Sequence, residues 1–146
     1  MTSDSAEARG RVLPLEDFRQ SLPSGARLIG IDVGTKTLGL AVSDVSRTIA
    51  SSLVTLRRRK LALDLQELLA IVAQHGAGGF VIGLPLNLNG SSGPRAQATR
   101  AFARDLAKAA PLPILLWDER LSTTAAERTL LEADASRRRR AADEGR

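Results

Sequence analysis

The chain has no cysteine and a single histidine, His75. Without thiols it can form no disulfide framework, thiol nucleophile or cysteine-rich zinc site, and a Ser-His-Asp triad would have to use that one imidazole. His75 stands next to Gly76 at a helix end, and reads as a surface C-cap residue rather than a ligand or base. Aromatic residues make up 3% of the sequence. They are Phe18, Phe80, Phe102 and Trp117, mostly set in apolar runs, which argues against a base-stacking platform for nucleic acid. No stretch reaches the ~20 apolar residues that cross a bilayer. Met1 to Gly10 is polar, with no hydrophobic signal core. A cytoplasmic location and no membrane partner are expected.

What remains is ordinary globular material: 146 residues, 43% hydrophobic and 25% charged, enough for one domain around one core. The 21 Lys and Arg against 16 Asp and Glu give a net charge of +5. That charge is clustered in Arg57-Arg58-Arg59-Lys60 and Arg137-Arg138-Arg139-Arg140, and the rest of the chain is net acidic. Paired basic clusters suit a polyanion, because each phosphate neutralised releases condensed counterion. Solvated loops or a disordered tail are the plainer reading.

Residues 1–26 read as a weakly structured extension, with a short helical turn at Glu16-Asp17-Phe18-Arg19 between Pro14 and Pro23. Residues 27–136 carry the domain, and residues 137–146 a basic tail expected to be disordered. Leu28 to Val33 and Leu38 to Val42 predict two buried strands joined by a tight turn. A third strand is expected over Thr48 to Leu56. Leu61 to His75 sets Leu61, Leu65, Leu68, Leu69 and Val72 on one face at helical spacing, and Gly76 stops it. Gly79 to Leu84 predicts a strand, Pro85 to Gly93 a turn-rich loop, and Arg95 to Ala109 a helix burying Ala98, Phe102 and Leu106. Ile114 to Trp117 predicts a fifth strand. Thr124 and Glu127 have capping-box spacing for a last helix to about Asp134. The order describes an α/β fold with a mixed sheet flanked by helices.

Asp32 is the most informative residue. A carboxylate in so apolar a run loses hydration unless a cation, hydrogen-bond donors or exposure at the strand end compensates. Gly30 and Gly34 flank it and allow close approach of a metal, a phosphate or another backbone. Asp32 bonding to turn amides near Thr35 is the structural alternative. Asp118 and Glu119 stand where a second apolar strand gives out, and side-chain alternation lets only one of them share a given face. If that strand and the one bearing Asp32 are parallel and close, two carboxylates can jointly hold Mg²⁺ or Mn²⁺ and support attack on a phosphodiester. An N-cap or an Asp118/Arg120 surface pair is the alternative for the second acid site. Thr35 and Lys36 are placed to meet a phosphate, or are ordinary hairpin residues. Asn87, Asn89, Gly90, Ser91 and Ser92 suit contacts to a sugar-phosphate backbone, although turn chemistry selects the same residues.

Three segments, Gly30 to Asp44, Val81 to Asn87 and Asp118 to Thr123, closely resemble the YqgF family, also called RuvX, whose members are described as pre-16S rRNA nucleases and Holliday-junction-resolvase-like proteins. The resemblance spans roughly residues 27–134. It implies an RNase H-like fold, a five-stranded sheet with its first three strands antiparallel, and metal-dependent phosphodiester hydrolysis. By position, Asp32 resembles the family's first-strand catalytic carboxylate. Glu119 is the chosen second acid and metal ligand, with Asp118 in reserve. Thr35, Lys36, Asn87 and Arg120 would contact the phosphates of pre-rRNA, structured RNA or branched DNA. A homodimer is compatible with these features. Gly83 stands where many relatives in the wider superfamily carry an acid, so the last strand would have to provide it.

YqgF proteins normally continue into a helix with an Asp-Ser-x-Ala-Ala-like motif bearing a further metal-binding carboxylate. This sequence runs instead through Arg137 to Arg140, and Asp143 and Glu144 do not match the motif. A weaker two-carboxylate site, with reduced or absent nuclease activity, is the expectation. A non-catalytic RNA-binding or ribosome-assembly role is the second reading. Gly30 to Thr35 also resembles the first phosphate motif of actin-like ATPases, but those enzymes clamp nucleotide between two domains, each about this long.

Overall fold

The computed structural model describes residues 10–47 and 50–121. A sheet of six strands runs through them in the order β1-β6-β5-β2-β3-β4. Its members are β1 (Arg11–Val12), β2 (Arg27–Val33), β3 (Thr37–Ser43), β4 (Ala50–Arg57), β5 (Ala77–Leu84) and β6 (Pro113–Asp118). Three helices accompany them: α1 (Leu15–Ser21), α2 (Leu61–His75) and α3 (Pro94–Ala109). None of the helices among the described residues is long and apolar enough to cross a membrane.

Strands β2, β3 and β4 are consecutive and antiparallel. Strands β5 and β6 then add in parallel to β2 and to each other. This is the RNase H-like arrangement that the motifs imply, with one strand more. The β2–β3 turn closes tightly, Gly34 N–H donating to the Thr37 carbonyl at 2.9 Å. A Cβ on Gly34 would stand 2.9 Å from that same oxygen, so the closure needs glycine.

Alternation along β2, β3 and β5 divides the sheet into two faces. One face turns Ile29, Ile31, Val33, Leu38, Leu40, Phe80 and Ile82 into a core completed by Leu68 of α2 and by Phe102, Ala103 and Leu106 of α3. Helix α2 ends where the sequence predicts: Gly76 adopts a left-handed conformation (φ 63°) and its N–H donates to the Val72 carbonyl. Helix α3 starts with proline at its first position, where the missing N–H costs nothing.

Several expectations are corrected. The lead-in is not weakly structured from Gly10 onward. There β1 pairs in parallel with β6, and Gly10 and Leu13 N–H groups donate to the Ala107 and Ile114 carbonyls at 2.8 Å. The β1 pairing and the Leu13 bond occupy the free edge of β6, and the Gly10 bond ties the lead-in to α3. Phe18 of α1 is 2% exposed and its ring lies on Gly79, at 3.2 Å from where a Cβ would stand. Ala98 is exposed, because the buried stripe of α3 is Ala96, Thr99, Phe102, Ala103 and Leu106. Leu61 is also exposed, while Asp64, one turn on, is fully buried. The third strand is described from Ala50, and Thr48 lies outside the described residues. So do the expected helix from Thr124 to Asp134 and the basic tail.

Candidate active site

Strands β2, β5 and β6 are parallel, so their C-terminal ends meet at one edge of the sheet, where α/β proteins bind ligands. Asp32 is the last but one residue of β2. It alternates with the buried Ile31 and Val33 and is therefore exposed on the face opposite α2 and α3. Exposure at the strand end keeps its carboxylate hydrated. No amide of the turn among the described residues donates to it, which disposes of the turn-bonding alternative there.

Strand β6 is not the neighbour of β2, since β5 lies between them. Two strand spacings, roughly 10 Å, therefore separate the two acidic strands. The gap is bridged from above. β2 and β5 pair Ile31 with Ile82, and one further step of that register sets Gly83 beside Asp32. Glu119 folds back over Gly83: a Cβ there would fall 2.6 Å from Glu119 Oε1 and 3.2 Å from its Cγ. The missing side chain at Gly83 is what lets the carboxylate of Glu119, the first residue past β6, lie next to the strand that carries Asp32.

Asp118 takes the other role that alternation allows. It pairs with Leu84, a residue of the helix-covered face. Its carboxylate is committed to Arg120: Nε donates to Oδ1 at 3.0 Å, Nη2 to Oδ2 at 2.7 Å, and the Arg120 backbone N–H to Oδ1 at 3.0 Å. These bonds hold the Asp118 carboxyl below the usual carboxylate range, against the opposing effect of desolvation, and raise Arg120 further. Arg120 Nη1 also donates to the Leu88 carbonyl at 3.0 Å. The Asp118/Arg120 pair thus fastens the loop between β5 and α3 to the end of β6.

Asn87 braces that loop from inside. Its backbone N–H donates to the Ser91 carbonyl at 3.0 Å, its Nδ2 donates to Ser91 Oγ at 2.9 Å, and Gly90 N–H donates to the Asn87 carbonyl at 2.8 Å. Leu88 at the tip is 95% exposed. Thr35 and Lys36 are exposed in the β2–β3 turn, at the same sheet edge as Asp32.

An arrangement beneath this turn was not anticipated. Arg58 Nη1 donates to the Gly34 carbonyl at 2.9 Å, and its backbone N–H donates to the Lys36 carbonyl at 2.8 Å. Its guanidinium lies 5.6 Å from the centre of the Phe102 ring and its Nε lies 3.6 Å from Asp64 Oδ2. Asp64 Oδ1 accepts the Arg59 N–H at 3.1 Å. Arg58 therefore ties the turn after Asp32 to the start of α2. The signal in the sequence was Asp64 itself, a charged residue four before Leu68 on the apolar side of the helix.

On the open face, a groove of about 570 Å³ runs from Asp32 over Gly30, Gly39, Ala41 and Gly83 to Ser52, Val54 and Thr55 of β4. Two carboxylates at its rim offer hard oxygen donors of the kind that Mg²⁺ or Mn²⁺ takes. No cluster of three or more acidic, histidine or cysteine side chains occurs among the described residues. The donor set fits a divalent ion that keeps most of its waters.

The sequence profile of the RuvX family, described as a Holliday junction resolvase, matches residues 26–144. A Rhodobacter capsulatus protein named "Putative pre-16S rRNA nuclease" is 60% identical over 127 residues, covering 87% of this chain and 80% of its own length. A Paracoccus denitrificans protein of the same name is 57% identical over 127 residues, with 87% and 80% covered. Among solved structures, T. thermophilus RuvC in complex with Holliday junction substrate aligns at TM-score 0.47 and 15% identity, covering 64% of each chain. The profile match over most of the sequence and the identity to these relatives agree, and the chain belongs to the RuvX family.

Proposed function

We propose that this chain hydrolyses phosphodiester bonds of nucleic acid with a divalent cation, Mg²⁺ or Mn²⁺, and that its substrate is the 5′ region of pre-16S rRNA in the cytoplasm, during ribosome biogenesis. The observation that carries the reading is Glu119 lying over Gly83, one strand from Asp32. The names of the relatives supply the substrate class. Asp32 and Glu119 would hold the cation. Bound there, it would supply Lewis-acid polarisation of a phosphoryl oxygen and a lowered pKa for attacking water. The chain's own residues prepare the ground: Asp32 and Glu119 present acceptor oxygens, Gly30 and Gly39 leave the face clear for a sugar-phosphate backbone, and the exposed Lys36 supplies positive charge beside it. Asp118 and Arg120 hold the loop that carries Asn87, and the remaining N–H groups of Arg120 are left for phosphate.

Asp32 and Glu119 are the two carboxylates that the described residues bring to this edge, and a site held by these two alone is expected to bind its cation weakly and turn over slowly. The basic clusters Arg57 to Lys60 and Arg137 to Arg140 favour the second reading, an RNA-binding assembly factor without catalysis. Cleavage of an RNA carrying the 5′ flank of 16S rRNA, and of a four-way DNA junction, separates these readings. Asp32→Asn is expected to lose on the order of 10²-fold in cleavage, the scale of removing one preorganised electrostatic contact. Equal activity in both proteins removes the chemistry. RNA binding that survives EDTA and Asp32→Asn, with no cleavage by either, establishes the second reading.

A further inference from the structure

The four consecutive cations at the end of β4 do not share one role. Arg58 is spent on the Gly34 carbonyl, Asp64 and the Phe102 ring. Arg59 pairs with Glu67, Nη2 to Oε2 at 3.2 Å. Arg57 makes no side-chain hydrogen bond or ion pair with any described residue, and it is exposed.

The sheet register says which way Arg57 faces. β2 pairs Asp32 with Gly39, and β4 pairs Thr55 with Gly39 on the other side of β3, so Asp32, Gly39 and Thr55 form one row across the sheet. Arg57 pairs with Thr37 two residues further along, and side chains two apart share a face. Arg57 therefore stands on the open face with Asp32, while Leu56 packs towards the core on the other. Between them, Gly39 offers no side chain at all. A Cβ there would meet only the Asp32 Cβ, at 3.6 Å, which is ordinary contact. Packing does not demand this glycine, and its effect is to leave a clear path along the sheet surface from Asp32 to Thr55 and Arg57. Arg57 lies two strand spacings and one side-chain repeat from Asp32, about 10 Å and about 7 Å. That is too far for both to serve one phosphate, and suited to a neighbouring phosphate of the same strand.

We propose that Arg57 is a phosphate-binding residue for nucleic acid, gripping the sugar-phosphate backbone across the open face beyond Gly39, while Arg58 and Arg59 serve the fold. The inference rests on the nucleic-acid reading above and extends it to the course of the bound strand. It is tested by the affinity of the full-length chain for a labelled RNA hairpin with single-stranded flanks, measured in EDTA across a salt series so that no cleavage intervenes. Arg57→Ala is expected to bind about fivefold more weakly near physiological salt, and to flatten the slope of log K against log salt by about 0.7 to 0.9, the share of one phosphate contact. Arg59→Ala, in the same cluster and with the same change of charge, is expected to leave both unchanged.

Equal losses in the two variants would mean only a diffuse field and would overturn the assignment, as would no loss in Arg57→Ala. If the unaltered chain binds no RNA, both this inference and the reading beneath it fall. If the Arg57 effect appears but Asp32→Asn cleaves as the unaltered chain does, the binding residue stands and the hydrolytic reading alone fails.

Discussion

The two faces of the sheet are built from the same strands by opposite rules. The helix-covered face is filled by large apolar side chains, with Ile29, Leu38, Phe80, Ile82 and Ile114 at 0% exposure. The other face carries α1 near the start of the parallel strands, where Phe18 lies on Gly79, and towards Asp32 it is kept low and open by Gly30, Gly39, Ala41 and Gly83. The difference teaches where each kind of constraint acts. Close packing fixes the register of the strands on one side, and that register then fixes which side chains meet on the other. Asp32 is exposed because Ile31 and Val33 are buried.

The sharpest way to break this comparison is to cut one residue from each face of β5. Phe80→Ala should cost about 3–5 kcal/mol of unfolding free energy, as expected for a large aromatic lost from a closed core. Its neighbour Val81→Ala should cost only about 1 kcal/mol, since it opens no enclosed cavity. Chemical denaturation reads both, and similar losses would mean that the second face is as tightly packed as the first.

Next in size is Gly83→Ala. The added methyl would meet the far end of a flexible Glu119 side chain rather than backbone, so the midpoint of unfolding should hardly move. Displacing Glu119 should nevertheless lower cleavage by roughly 10–100-fold, in line with disturbing the positioning of a metal ligand. A variant that keeps full activity would show that Glu119 need not lie over Gly83.

The smallest effect is a pH dependence at the loop anchor. The folded-state pKa of Asp118 is lowered by its bonds to Arg120. The stability this pair contributes is therefore fully present above the unfolded carboxylate value, about 3.9, and is lost as the pH falls through the lower folded value. Stability curves of the unaltered chain and of Arg120→Ala should run parallel from about pH 5 to 7 and converge below about pH 4. Convergence near neutrality would contradict the assignment.

Much of this was legible in the sequence because it depends on local chemistry. Apolar runs marked β2 and β3, the helical spacing of apolar residues marked α2 from Leu61 to His75, and Gly76 marked its end. The three motifs marked the family. What escaped depends on distant partners. β1 is two residues long and exists because β6 has an edge to offer. Asp64 stands on the apolar side of α2, but its partner Arg58, just past the end of β4, is supplied only by the fold. The rule that only one of Asp118 and Glu119 can share a face was available, but which of them pairs with Arg120 is set by the register of β6 on β5. The sequence also suggested that the strands of Asp32 and Glu119 are close neighbours. The intervening β5, and the gap at Gly83 that makes up for it, emerge only from the assembled sheet.

Asp32 and Glu119 are expected to share one divalent cation, and direct titration of Mn²⁺ onto the full-length chain, followed by the relaxation of solvent water, reads this without any substrate. One weak site is expected in the unaltered chain, abolished equally by Asp32→Asn and by Glu119→Gln and unaffected by Asp118→Asn. A site that survives either of the first two substitutions, or that disappears with the third, would contradict it.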